Sequence, residues 1–252
     1  MTAEFHGRVA LVTGAGGAIG SATARWFAAN GAQVALVDLA AERIDPLAAE
    51  IGTQAECATF AADQCDSSSV DRMVEAVARR FGRIDVLANI AGAWTFSNVA
   101  DTTDDAWDRL LRLNLTGVFY TCRSALQLLR ETGNSSIVNV ASGAAFRPLP
   151  AVAAYAASKG GLVSFSRVLA LEAAPKVRVN VVAPGPVETP THLETAGDTD
   201  AAAVMQEVTS SGLFGRMATP DEVAEAIGFL SSSRARSVTG TTLHVNGGRY
   251  MP

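Results

Sequence analysis

The sequence predicts one doubly wound α/β domain built on a parallel sheet. Three observations predict it. Short β-rich apolar runs alternate with longer helical stretches along the whole chain. Most of these runs are continuous Val, Ile, Leu and Ala, the pattern of strands covered on both faces. A glycine-rich turn, TGAGGAIG, joins the first run to the first helical stretch.

The strand expectations, in order, are RVALV (8–12), AQVALVD (32–38), ECATFAA (56–62), IDVLAN (84–89), SSIVNVA (135–141), VRVNVVA (177–183) and TLHVN (242–246). The first helix is expected over 18–29, with Asn30-Gly31 as its stop signal. Asp66 or Ser67 can cap a helix that ends at Gly82. Long helical patterns follow at 103–130 and 151–174. Another at 220–232 opens on Thr219-Pro220-Asp221-Glu222, with proline in a favoured first-turn position. Between Pro184 and Pro220 the rhythm breaks into a segment rich in Thr, Gly, Ala and Ser. Ligands of open parallel sheets bind beyond the carboxyl ends of the strands, so 184–219 is expected to be a lid over the substrate.

A chain of 252 residues with 48% hydrophobic content is long enough for a substantial core. Its net charge of −5 excludes the basic footprint of a nucleic-acid or anionic-membrane binder. No apolar run reaches membrane-spanning length and no signal peptide is evident, so a cytoplasmic protein is expected. Cys57, Cys65 and Cys122 have neither CxxC spacing nor a nearby His; they read as reduced thiols, and no metal site is expected.

The turn at 13–20 departs from G-x-G-x-x-G but nearly fits T-G-x-x-x-G-x-G, with Ala18 in place of the middle glycine. At a helix N-terminus, unpaired N–H groups and a partial positive charge suit a pyrophosphate. Asp38 closes the second strand, where a carboxylate accepts hydrogen bonds from a ribose and repels a 2′-phosphate. Gly17 leaves the usual phosphate-pairing position without a cation. The competing role for Asp38 is capping a helix that begins near Leu39.

Tyr155 and Lys159 stand four apart in a helical pattern, hence on one face. With three tyrosines and two lysines in the chain, a chance pair at this spacing is about a 2% event. An ammonium one turn away is expected to lower the phenol's pKa towards neutrality.

Taken in order, TGAGGAIG, Asp38, Asp63, NIAG (89–92), Asn114 in LNLTG, Ser142 in VASG, YAASK (155–159), PGPVET (184–189) and VNGG (245–248) resemble the short-chain dehydrogenase/reductase family over essentially the whole chain. The resemblance implies one Rossmann-fold domain spanning 1–252, with a seven-stranded parallel sheet. It implies Asn114, Ser142, Tyr155 and Lys159 as catalytic residues. It also implies a nicotinamide dinucleotide held by Gly14, Gly17, Ala18, Ile19, Gly20, Asp38, Asp63, Gln64, Asn89, Ala91, Gly92, Tyr155, Lys159, Pro184, Gly185, Val187 and Thr189. Besides Ala18, two residues depart from the family pattern: Ile90 stands where a second asparagine is usual, and Gln64 where an aliphatic residue is common.

The implied reaction is reversible hydride transfer between NAD, in preference to NADP, and a secondary alcohol or ketone. Candidate pocket residues are Trp94, Phe96, Ala144, Phe146, Val152, His192 and Leu193, which suit a largely apolar substrate; Trp94 and Phe146 fit a core role equally well. Arg147 is a candidate for meeting an anionic carrier. Two other readings stay open: a 3-oxoacyl carrier-protein reductase, and a silent NAD-binding sensor or scaffold. The family resemblance also implies a homotetramer, with GGRYMP at the C-terminus reaching a neighbouring subunit.

Overall fold

The computed structural model describes residues 4–189, 210 and 212–251. Its strands are β1 (Val9–Thr13), β2 (Gln33–Asp38), β3 (Cys57–Ala61), β4 (Val86–Asn89), β5 (Ser135–Val140), β6 (Val177–Pro184) and β7 (Thr242–Val245). Its helices are α1 (Ala18–Ala29), α2 (Asp45–Ile51), α3 (Ser67–Phe81), α4 (Asp104–Leu111), α5 (Gly117–Thr132), α6 (Ala153–Ala173) and α7 (Pro220–Ser231). The seven strands form one parallel sheet in the order β3-β2-β1-β4-β5-β6-β7. The order reverses between β1 and β4, which opens a crevice at their carboxyl ends.

The continuous apolar runs have a direct cause in this architecture. Along β1, Ala10 and Val12 enter a core shared with α1 and α7, while Leu11 enters the core beneath α3, α5 and α6. On the first face α1 and α7 are in close contact, since a Cβ at Gly228 would lie 2.3 Å from the Trp26 ring. Phe5, Trp26 and Phe27 meet edge to face beside it, with centroids 5.2 to 5.6 Å apart. On the second face Val70, Met73 and Val74 of α3 pack with Leu129 of α5 and Leu162 of α6.

Local signals terminate the elements. Asp66 is the cap of α3, accepting from the Ser68 amide at 2.9 Å, and Gly82 ends that helix in the left-handed region. The stretch 103–130, expected as one helix, is divided: five residues, 112–116, form a π-helical turn between α4 and α5. No helix begins at Leu39. The Asp38 carboxylate accepts from the Leu39 amide, the chain bends into a short 3₁₀ turn at Ala41–Arg43, and α2 starts only at Asp45, with Pro46 in its first turn. Among the described residues no helix is long and apolar enough to cross a membrane.

At α7 the expected start is a complete capping box. Thr219 Oγ1 accepts from the Glu222 amide at 3.2 Å, and Glu222 Oε2 accepts from the Thr219 amide at 2.8 Å. Thr219→Ala should therefore cost about 1 kcal/mol. Scanning calorimetry should read this as a fall of about 2–4 °C in Tm.

Candidate active site

A cavity of about 860 Å³ lies at the carboxyl ends of the strands. The glycine turn forms one end of it. Gly14 takes a left-handed φ of 66°, and Gly20 lies so close to the strand exit that a Cβ there would stand 2.0 Å from the Gly14 carbonyl oxygen. Ala18, by contrast, is the first residue of α1 and follows Gly17, an extended N-cap with φ −85°. Its methyl group costs nothing in backbone strain. No acidic residue occupies the first turn of α1, so the helix terminus keeps its positive potential.

Asp38, Asp63 and Gln64 line the same end of the cavity, and Ala91 and Gly92 its floor. Asp63 Oδ1 accepts from the Cys65 amide at 2.8 Å, while the Gln64 side chain turns inward to accept from Thr121 Oγ1 at 2.8 Å. Thr13 fixes the floor: its hydroxyl accepts from the Ile90 and Ala91 amides at 3.1 and 3.3 Å. Ile90 packs its side chain against the apolar core on the α1 side. Pro184, Gly185, Val187 and Thr189 close the far wall, where Glu188 N and Ala218 N bond across to Ala218 and Pro186.

Ser142, Tyr155 and Lys159 meet the cavity from β5 and α6. Ser142 Oγ accepts from the Ala144 amide at 3.2 Å and is hydrogen-bonded to the Tyr155 hydroxyl. Lys159 is 4% exposed; its Nζ donates to the Val140 carbonyl at 2.9 Å and lies 5.9 Å from the centre of the Tyr155 ring. Burial pulls the Lys159 ammonium down to about 8. Burial also pushes the Tyr155 phenol up, with the Ser142 hydrogen bond opposing it. The lowering expected from Lys159 does not show here: burial raises the phenol, and the opposing influence comes from Ser142.

Other sequence expectations are redistributed. Asn114 is fully buried in the π-helical turn and does not reach the cavity. Its Oδ1 accepts from Ala93 N at 2.9 Å, and its Nδ2 donates to Ala93 O at 2.8 Å and Ser158 Oγ at 3.1 Å. A Cβ at Gly92 would lie 2.9 Å from Asn114 Oδ1 and 3.2 Å from Lys159 Nζ, so three segments converge there. Asn89 turns away from the cavity, because in the β4–β5 register it faces Asn139, to which it donates at 2.8 Å. Phe146 also lies behind the wall, stacked on Tyr250 at 5.6 Å and edge-on to His244 at 4.7 Å.

Trp94, Phe96, Ala144 and Val152 do line the cavity, Trp94 and Phe96 in edge contact at 4.8 Å. His192 and Leu193, with most of the expected lid at 184–219, lie outside the described residues. Sequence reasoning missed Arg43, Leu113, Leu149, Asn246 and Tyr250 in the lining. Tyr250 and Arg249, in the C-terminal segment, line this chain's own cavity. Arg147 lines it as well.

A buried cation whose folded pKa is about 8, against an ordinary 10.5, destabilises the fold while it stays charged. That cost is full below pH 8 and fades as the pH rises from there to 10.5. Lys159→Met should raise the unfolding free energy by about 1–3 kcal/mol at pH 7. Denaturant titrations at pH 7 and pH 10 should show that gain narrowing at the higher pH.

Comparison with known proteins agrees with this geometry. Residues 14–249 match a family model described as enoyl-(acyl carrier protein) reductase. The chain is 40% identical over 247 residues to D-threitol dehydrogenase of Mycolicibacterium smegmatis, covering 97% of this chain and 94% of that one. It is 34% identical over 256 residues to a 3-oxoacyl-acyl-carrier-protein reductase of Escherichia coli, covering 98% and 99%. A crystal structure of a short-chain dehydrogenase/reductase from Brucella melitensis, described as glucose/ribitol dehydrogenase, superposes with a TM-score of 0.92 at 41% identity, covering both chains completely. With its seven-stranded parallel sheet and its Ser142, Tyr155 and Lys159 on one cavity wall, the chain belongs to the short-chain dehydrogenase/reductase family of oxidoreductases.

Proposed function

We propose that the chain is an NAD-preferring oxidoreductase that interconverts a secondary alcohol and its ketone, the substrate having a largely apolar body. The observation that carries this reading is the single cavity with a glycine-turn helix terminus at one end and Ser142, Tyr155 and Lys159 at the other. The residues suit a dinucleotide. The glycines at 14 and 20 pack the turn against Ala91 and α1 against the strand exit, which leaves the amide end of α1 beside the cavity; Asp38 lines the cavity where it would meet a ribose, and Val187 and Thr189 where they would meet the reactive end. When bound, the dinucleotide supplies the hydride acceptor or donor.

In oxidation the substrate C–H electron pair leaves as hydride and the phenolate form of Tyr155 takes the hydroxyl proton; in reduction the Tyr155 phenol gives that proton to the carbonyl oxygen and becomes phenolate. Ser142 orients the substrate oxygen beside that hydroxyl. Lys159, anchored on Val140, holds positive charge beneath the ring. Asn114 keeps Ala93 and Ser158 in place around it. Trp94, Phe96, Leu113, Leu149 and Val152 give the substrate end an apolar wall. A second reading, reduction of a 3-oxoacyl thioester, draws on Arg147 in the lining and on the Escherichia coli relative.

The deciding experiment is an NAD⁺-reduction screen over secondary alcohols, polyols and 3-hydroxyacyl thioesters. Turnover of an alcohol that Tyr155→Phe lowers by about 10³-fold or more, with NADH binding retained, is the expected outcome. Turnover of thioesters alone moves the assignment to the second reading. Near-normal turnover in Tyr155→Phe ends the proton-transfer role.

We also propose a homotetramer. Phe119 of α5 and Val168 and Leu171 of α6 point apolar surface outward, Leu171 at 82% exposure. Light scattering at micromolar concentration should give four times the chain mass, and Leu171→Glu should lower it; a monomeric wild type ends this proposal.

A further inference from the structure

Two arginines from distant parts of the chain converge on the Ser142 side of the cavity. Arg147 follows the 3₁₀ turn that Ser142 caps, and its amide donates to the Gly143 carbonyl at 2.9 Å. Arg249 lies in the segment after β7, and its amide donates to the Asn246 carbonyl at 3.2 Å. A ring stack ties the two segments together: Phe146 and Tyr250 lie 5.6 Å apart and 27° from parallel, with His244 edge-on to Phe146 at 4.7 Å. Each arginine is the sequence neighbour of one ring of that stack, and both line the cavity. Gly212 crosses the Arg249 stem, since a Cβ there would lie 3.2 Å from Arg249 Cγ.

The two guanidiniums act on each other. Burial lowers the Arg249 pKa, and the charge of Arg147 lowers it further. Two half-buried cations close enough to repel cost free energy, which an anion set between them offsets. Among the described residues, the carboxylates that line the cavity are Asp38 and Asp63, both at the glycine-turn end. Both arginines also interact within the chain. A guanidinium carries five donors, however, so it serves a second acceptor without giving up the first. Carboxylate and phosphate groups match its fork with two parallel hydrogen bonds.

This inference rests on reading the cavity as the site of an alcohol–ketone interconversion. We propose that Arg147 and Arg249 form an anion subsite, and that the substrate is a secondary alcohol bearing a carboxylate or phosphate away from its hydroxyl carbon. Ser142 and Tyr155 take the hydroxyl, the apolar lining holds the body, and the arginine pair takes the anionic end. The pair thereby selects by charge, where the apolar wall selects only by size and shape.

Steady-state NAD⁺ reduction over matched secondary alcohols ending in carboxylate, in phosphate or in the neutral amide tests this. In wild type kcat/KM should favour an anionic end over the amide by about 10- to 100-fold, chiefly through KM. Raising the salt should raise KM for the anionic members and leave that of the amide in place. Arg147→Gln and Arg249→Gln should each lower the anion-to-amide ratio about tenfold, and Arg147→Lys should lower it less, because lysine keeps the charge but not the fork. A preference for carboxylate identifies a hydroxy acid and a preference for phosphate a phosphorylated substrate; either supports the subsite. An amide turned over as well as the anions refutes it, and so does an unchanged ratio in both glutamine variants when their thermal melts match wild type; the alcohol–ketone reading then stands. The wild-type ratio and its salt dependence decide the matter even where a variant fails to fold. If no alcohol of any series is turned over, the alcohol–ketone reading itself fails and takes this inference with it.

Discussion

The absence of a side chain at Gly20 is the constraint on which the rest of the site depends. With the Gly14 carbonyl only 2.0 Å from where a Cβ would stand, α1 crosses the end of β1 at backbone contact distance. That crossing aims the amide end of α1 into the crevice between β1 and β4. It also sets the height of α1 on the sheet, and with it the close packing of Trp26 on Gly228 of α7. A helix lifted by one methyl group would move the amide end of α1 and a whole layer of core together.

Beneath the cavity the fold is held by polar cross-links as well as by packing. Thr13 ties the exit of β1 to the segment after β4, and Asn89, Asn139 and Ser166 form a buried hydrogen-bonded run from β4 through β5 to α6. Asn114 grips the backbone of Ala93 from both sides. These bonds lie where water is excluded, so each specifies one arrangement of strand ends, although Asn89 Oδ1 is buried without a partner. Lys159 is the costly member of this set: an ammonium inserted among them against desolvation.

Much of this was legible in the sequence, for identifiable reasons. All seven strands fall within two residues of their expected bounds, because runs buried on both faces have a strong, simple signal. The α3 cap and the start of α7 were legible because their chemistry is local. The glycine turn and the Tyr155–Lys159 pair were legible because spacing along one element fixes which side chains share a face. What escaped depends on how distant segments return. Arg43 reaches Asp38 only because the chain bends at Leu39 rather than starting a helix. Tyr250 reaches the cavity through the fold-back after β7, where Asn246 Nδ2 bonds its carbonyl at 2.9 Å. Asn89 was expected at the cavity from the family resemblance of NIAG, while its orientation depended on the register with β5. The rise of the Tyr155 pKa depends on burial depth, which no spacing encodes.

The π-helical turn at 112–116 bears on how the chain is to be aligned and re-engineered. Each residue advances an α-helix by about 100°, so one added residue per turn rotates everything that follows by that amount. Leu110 of α4 and the stripe Val118, Cys122, Ala125 and Leu129 of α5 are therefore buried in two different angular phases, separated by the widened turn. A one-residue gap between 112 and 116 in a relative is thus a choice of phase. Closing the turn would swing the apolar stripe of α5 off the sheet even though no loop had changed length.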